Sequence, residues 1–361
     1  MTGAAATLRS DYMNFAKLKT AARFNLASSG VADCALADLG ASLDDLALHG
    51  PNAYGYAPLV ERIAGRFGID RACVVTAQGC SFANHLAMAA MVSPGDEVLV
   101  EDPTYELLLS TLGYLRADVR RFERRPEAGW ALDADIVAAA LTPRTRLVVL
   151  TNLHNPTGAL ADEATVSAIA RAAAEVGARV LIDEVYRELM FRDGAARTAF
   201  RENANIVVTS SLTKAYGLSG LRCGWILAPA DLAERMRRLN DLYAATPVHL
   251  AERLGVVAFD RVEALRARAN ALVDANRAAY REVLGGHPAL DQVAIDQGTT
   301  LFPRLREGDG DALFERLITR HETSLVPGRF FGRPDRVRIG LGGAPGPTRA
   351  GLERLADALA G

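Results

Sequence analysis

The feature that most constrains this chain is a set of short apolar runs, too hydrophobic to leave either face in water. Arg146-Leu147-Val148-Val149-Leu150-Thr151, Arg179-Val180-Leu181-Ile182 and Ile206-Val207-Val208 have strand length and strand chemistry. None alternates apolar with polar residues as a half-solvated strand does. Segments with helical spacing lie between such runs. Pro58 to Phe67 and Ser81 to Val92 read as helices, Glu97 to Val100 as a strand closed by Asp102-Pro103, and a further helix starts at Thr104. A strand around Val119, a helix from Asp133, and a helix from the Asn155-Pro156-Thr157-Gly158 turn through Val176 continue the pattern. The alternation predicts an α/β fold whose mostly parallel sheet is covered by helices on both faces.

At 361 residues the chain is too long for one small core, which predicts two domains. Beyond about residue 245 the text changes to an Ala/Arg/Glu-rich helical stretch reaching Leu284. Short strands near Val293 and from Thr299 to Arg304, a helix from Asp311 and a strand from Val337 to Leu341 follow. We therefore expect residues 1–45 to form an N-terminal arm and part of a small domain, 46–245 a large α/β domain, and 246–361 a smaller α+β domain.

Charge and cysteine usage exclude several classes of function. The net charge is -2, whereas a nucleic-acid or membrane surface as main partner calls for a basic excess. The cluster Arg120, Arg121, Arg124 and Arg125 reads as a solvated loop after a strand. Cys34, Cys73, Cys80 and Cys223 lack Cys-x-x-Cys spacing, so neither a metal site nor a disulfide framework is expected, and a reducing cytoplasm fits best. No apolar run approaches the roughly 20 residues of a membrane span. The first 24 residues carry Arg9, Lys17, Lys19 and Arg23 against one acid, Asp11, a balance shared with transit peptides. Tyr12, Met13, Phe15 and Leu18 are too apolar to dangle, however, and predict an arm that packs on a neighbour.

In open parallel sheets chemistry gathers beyond the carboxyl ends of the strands. After Val149-Leu150 comes Asn152-Leu153-His154-Asn155; after Val180-Leu181-Ile182 comes Asp183-Glu184-Val185-Tyr186; after Val207-Val208 comes a small-residue loop holding Ser211, Lys214 and Arg222. Singly these are a good turn, a helix cap and a surface cation. Together they place an amide, a carboxylate, a phenol, an amine and a guanidinium on one rim. Of 41 basic residues only Lys17, Lys19 and Lys214 are lysines. Lysine, unlike arginine, can lose its proton when buried and attack a carbonyl.

In this order and spacing Asn155-Pro156-Thr157-Gly158, Asp183-x-x-Tyr186 and Ser211-x-x-Lys214 with Arg222 resemble the class I/II aminotransferases, the fold-type-I enzymes that use pyridoxal 5'-phosphate (PLP). The resemblance runs from about Ser28 to Leu341. It implies a large PLP-binding domain, with Lys214 forming a Schiff base with the cofactor and shuttling the substrate's α-proton. Asp183 would pair with the pyridine nitrogen, and Asn155 and Tyr186 with the ring oxygen. Ser211, Arg222 and the turn Gly79-Cys80-Ser81 would hold the phosphate. Tyr105 matches the aromatic that stacks on the ring, Arg338 rather than Arg336 the substrate-carboxylate position, and Gly30 the segment that closes over substrate. The family's partner-subunit tyrosine precedes a helix-opening glycine by several residues. Here Tyr54 abuts Gly55 and Tyr56 follows, so either could reach a partner's phosphate. No second arginine presents itself for a dicarboxylate side chain, which disfavours aspartate or glutamate as sole donor.

The resemblance implies a homodimeric aminotransferase working on an L-amino acid and a 2-oxo acid. The same pocket could instead support a PLP-dependent lyase acting by β-elimination or decarboxylation, since fold does not settle reaction outcome. A PLP-binding regulator would need a DNA-binding module that the length leaves no room for. A nucleotide-binding protein would need a Gly-x-Gly-x-x-Gly or Gly-x-x-x-x-Gly-Lys loop, which is missing.

Overall fold

The computed structural model describes residues 8–192, 197–201, 204–291, 293–294, 296 and 298–360. The N-terminal part holds helix α1 (Asp11–Leu18), strand β1 (Phe24–Asn25), the short helix α2 (Leu36–Leu39) and helix α3 (Ala57–Phe67). Next come β2 (Val74–Gln78), α4 (Gly79–Met91), β3 (Glu97–Asp102), α5 (Glu106–Tyr114), β4 (Asp118–Glu123) and α6 (Ala134–Ala140). Strand β5 (Thr145–Thr151), α7 (Glu163–Glu175), β6 (Arg179–Asp183), β7 (Ile206–Ser211) and β8 (Cys223–Leu227) complete the large sheet. The remainder comprises α8 (Ala230–Asn240), α9 (His249–Asp260), α10 (Val262–Leu284), β9 (Thr300–Leu301), α11 (Gly310–His321), β10 (Thr323–Ser324), β11 (Val326–Pro327), β12 (Val337–Gly340) and α12 (Pro345–Ala360).

The seven-stranded sheet has the order β2-β8-β7-β6-β5-β3-β4, and only β8 runs against the rest. It is mostly parallel, as the apolar runs require. Both faces are buried: Val148, Leu150, Val180 and Ile182 pack on one side, and Leu147, Val149, Leu181 and Val207 on the other. Such two-sided burial explains strands without alternation. Strands β2 and β8 escape a reading based on apolar runs, because Thr76, Gln78, Cys223 and Gly224 dilute them. The strand expected near Val293 is not formed at Val293, and its neighbours Gln292, Ile295 and Gln297 lie outside the described residues.

Packing bears on three expectations. Composition places the change of domain at residue 246, but α9 and the first half of α10 share the core of the large sheet through Phe259, Leu265, Ala269 and Val273. The second half of α10 joins a separate core through Ala279, Tyr280 and Leu284. The N-terminal arm packs on its own chain. Phe15 lies 4.9 Å from the ring of Phe314 and 4.7 Å from Phe330, and β1 pairs in parallel with β10. Burying an aromatic this size contributes roughly 2–3 kcal/mol, enough to hold a short helix that would not form alone. Finally, Arg124 is not solvated: it is 1% exposed and donates from Nη1 to Glu101 Oε2 at 2.9 Å.

Candidate active site

Strands β5, β6 and β7 are adjacent and parallel, so their carboxyl ends bring Asn155, Asp183, Tyr186 and Lys214 to one place. All four line a cavity of about 630 Å³. Burial and the positive charges of Arg338 and Arg222 push the Lys214 amine down to about 8, against a smaller opposing pull from Asp183. Its stem rests on the backbone of Gly30, where a Cβ would come within 3.2 Å of Lys214 Cδ. Gly30 therefore backs the lysine, and Ser29 is the neighbour that lines the cavity.

Asp183 is 6% exposed and receives only neutral donors: Asn84 Nδ2 at 2.8 Å, the Val185 amide at 3.1 Å and the Cys80 thiol at 3.3 Å. Burial pushes its carboxyl up, with these donors opposing. No ion pair is found for it among the described residues. A buried carboxylate of this kind is stabilised by a cationic N–H placed on its cavity side. Asn84, one helical turn beyond Cys80, was not singled out by sequence; its amide carbonyl accepts from Thr209 Oγ1 and so fixes its Nδ2 toward Asp183.

Another stretch of the same cavity wall suits a dianion. Helix α4 begins at Gly79, and Gln78 at its N-cap makes no side-chain capping bond, so the first-turn amides beside Cys80 and Ser81 stay open. Arg222 stands against that turn: a Cβ on Gly79, itself at φ +79°, would meet Arg222 Nη2 at 2.3 Å. Arg222 has φ +53° and only two long bonds to carbonyls, each 3.4 Å, with no ion pair among the described residues. Sequence places Ser211 here, but its hydroxyl is fully buried and faces Thr213 Oγ1 at 2.6 Å; Thr213 and Ser219 line the cavity instead. Ser211, the last residue of β7, faces the interior, whereas Thr213, two positions on, lines the cavity, a geometry that spacing alone does not reveal.

Tyr105 forms part of the wall, edge-on to the Tyr12 ring at 5.5 Å. The Tyr186 hydroxyl donates to Ser29 Oγ at 2.8 Å, and burial pushes its phenol up. Arg338, 1% exposed, donates from Nη1 to Asn155 Oδ1 at 3.1 Å and from Nη2 to Tyr12 OH at 2.9 Å and Ala27 O at 2.8 Å. That leaves the Asn155 Nδ2 group as a cavity donor with no partner among the described residues. Arg336 is directed elsewhere, over the Trp130 ring at 4.8 Å. The Asn155 backbone is braced from below: its amide donates to Thr151 Oγ1 at 3.1 Å, which donates to the buried Glu101 at 2.6 Å. Tyr54 is outside this cavity, 43% exposed, beneath the Arg238 guanidinium and 3.4 Å from Asp241. Tyr56 packs edge-on to His249.

An amine with a lowered proton affinity, a buried carboxylate, and an uncapped helix start beside an arginine line one cavity, and neither the carboxylate nor the arginine has an ion pair among the described residues. These fit the aldehyde, the ring nitrogen and the phosphate of PLP. The comparisons with known proteins agree. The chain is 33% identical to capreomycidine synthase of Streptomyces vinaceus over 94% of this chain and 90% of that one. It is 31% identical to arginine–pyruvate transaminase of Pseudomonas aeruginosa, covering 85% and 81% respectively. A solved PLP-dependent aminotransferase from Streptococcus suis superposes with a TM-score of 0.90 at 23% identity, over 97% of this chain and 96% of that one, and shows the same fold. The family model described as aminotransferase class I and II matches residues 34–359, and the chain belongs to that family.

Proposed function

We propose that this chain, a PLP-dependent aminotransferase, moves the amino group of an L-amino acid to a 2-oxo acid with Lys214 as both cofactor anchor and proton carrier. The observation that carries the assignment is the lowered proton affinity of Lys214 in the cavity that Asp183 also lines. Bound PLP supplies an electron-withdrawing ring that allows the substrate's α C–H to ionise. Asp183 would hold a proton on the ring nitrogen and so keep that withdrawal at full strength. Arg222 and the α4 amides would bind the phosphate, Asn155 Nδ2 would donate to the ring oxygen, as would the Tyr186 hydroxyl on turning from Ser29, and Tyr105 would cover the ring face. Lys214 Nζ, when neutral, would take the substrate's α-proton and carry it as an ammonium until it is returned. An amine near 8 is partly neutral at physiological pH, as this exchange requires.

Arg338 supplies the positive charge for the substrate carboxylate. The pair named in the Pseudomonas relative, arginine and pyruvate, is the first to assay. Loss of cofactor absorbance with single amino acids, recovered on adding pyruvate, supports transfer. Continuous release of ammonia without a 2-oxo acid shows elimination, the outcome that replaces this reading. We also propose that a second copy covers the groove lined by Leu36, Leu218, Val248 and Leu254, which also includes Arg222. Tyr54 would then act toward the partner. A monomer by light scattering at micromolar concentration contradicts this arrangement.

A further inference from the structure

Arg338 does not form the substrate-carboxylate end of the cavity alone. Its guanidinium is buried at 1%, while Tyr12 and Asn155, which it holds by hydrogen bonds, are among the residues lining the cavity. We propose that Tyr12, from the N-terminal helix, is a substrate-binding residue whose hydroxyl donates to the carboxylate of the amino acid alongside Arg338.

The hydrogen-bonding capacity of Tyr12 supports this role. A phenol hydroxyl both accepts and donates. Tyr12 accepts from Arg338 Nη2 at 2.9 Å, and its own proton has no acceptor among the described residues. An O–H polarised by a guanidinium on its oxygen is a stronger donor, and the ligand suited to it is an anion. The ring cannot swing away: it is set edge-on to Tyr105 at 5.5 Å and Phe330 at 5.6 Å. Helix α1 is fixed in turn, because Ser10 caps it through the Met13 amide at 3.0 Å while its hydroxyl contacts Glu106 on α5. Met13 Sδ accepts from Tyr105 OH at 3.4 Å. The arm thus touches the ring-covering tyrosine and the carboxylate end at once.

This inference rests on the aminotransferase reading, and two probes separate them. 2-Methylalanine carries a carboxylate but no removable α-proton; isopropylamine is its carboxylate-free counterpart. Each is titrated into PLP-loaded wild type and Tyr12→Phe, following cofactor absorbance, with thermal midpoints as a check on folding. A hydrogen bond to a charged group predicts binding of 2-methylalanine about tenfold weaker in the variant, with isopropylamine unchanged. Equal weakening of both probes, or no difference with 2-methylalanine, overturns the assignment to Tyr12. A wild type that takes up no PLP rejects the underlying reading and this one with it.

Discussion

The Lys214 amine offers a prediction that can be worked through before any substrate is known. With its proton affinity lowered from 10.5 to about 8, about a quarter of the amines are neutral at pH 7.5, against about 0.1% for an ordinary lysine, a gain of about 200-fold. Competitive acetylation of the cofactor-free protein across pH, read by mass spectrometry at the Lys214 peptide, should show a midpoint near 8. Arg338 lowers and Asp183 raises this affinity, so Arg338→Met should move the midpoint up and Asp183→Asn should move it down. Opposite shifts distinguish charge from general loosening, which moves both variants toward 10.5. The same depression has a sign in stability. The cost of charging the buried amine is present in full below pH 8 and vanishes above 10.5, so the cofactor-free protein gains stability as pH rises through that window. The gain is at most about 3 kcal/mol, and less to the extent that the side chain retains solvent contact. A wild-type midpoint near 10.5, or shifts of the same sign in both variants, refutes the electrostatic argument.

The buried carboxylates give two further expected outcomes. Asp183→Ala should retain PLP, which Lys214 and Arg222 still hold, while turnover falls on the order of a thousandfold, the scale of lost proton management; unchanged kinetics remove Asp183 from its role. Glu101→Leu should destabilise the chain by about 3–5 kcal/mol in urea unfolding, because Arg124 is left buried without its partner. Pairing it with Arg124→Leu should restore part of that loss, and no restoration means the ion pair is not the source.

Much of this site is legible in the sequence because the fold delivers strand ends in register. Once β5, β6 and β7 are recognised as adjacent parallel strands, Asn155, Asp183 and Lys214 must share a rim. Turn geometry, by contrast, is not legible. Ser211 and Thr213 both bear hydroxyls two positions apart, and only the path of the chain decides that Thr213 faces the cavity. Gly30 and Ser29 exchange expected places for the same reason, since the residue packed on the Lys214 stem has no room for a side chain. Tyr12 and Arg124 are invisible because their partners are distant: Arg338 lies across the whole chain, and Glu101 sits on the strand beside β4. The arm's aromatic residues announce burial but not against what. Composition does not reveal how the two cores divide the chain, because α10 is one uninterrupted helix shared by both.

The most direct test of the central claim is to incubate the purified chain with PLP, reduce with borohydride, and map the modified lysine by peptide mass spectrometry. Only Lys17, Lys19 and Lys214 offer a side-chain amine, and Lys17 also lines the cavity, so the experiment is a real choice between positions. The account predicts a stoichiometric pyridoxyl group on Lys214, and none in Lys214→Ala. Modification on Lys17 or Lys19, or an unaltered Lys214 at saturating PLP, contradicts it.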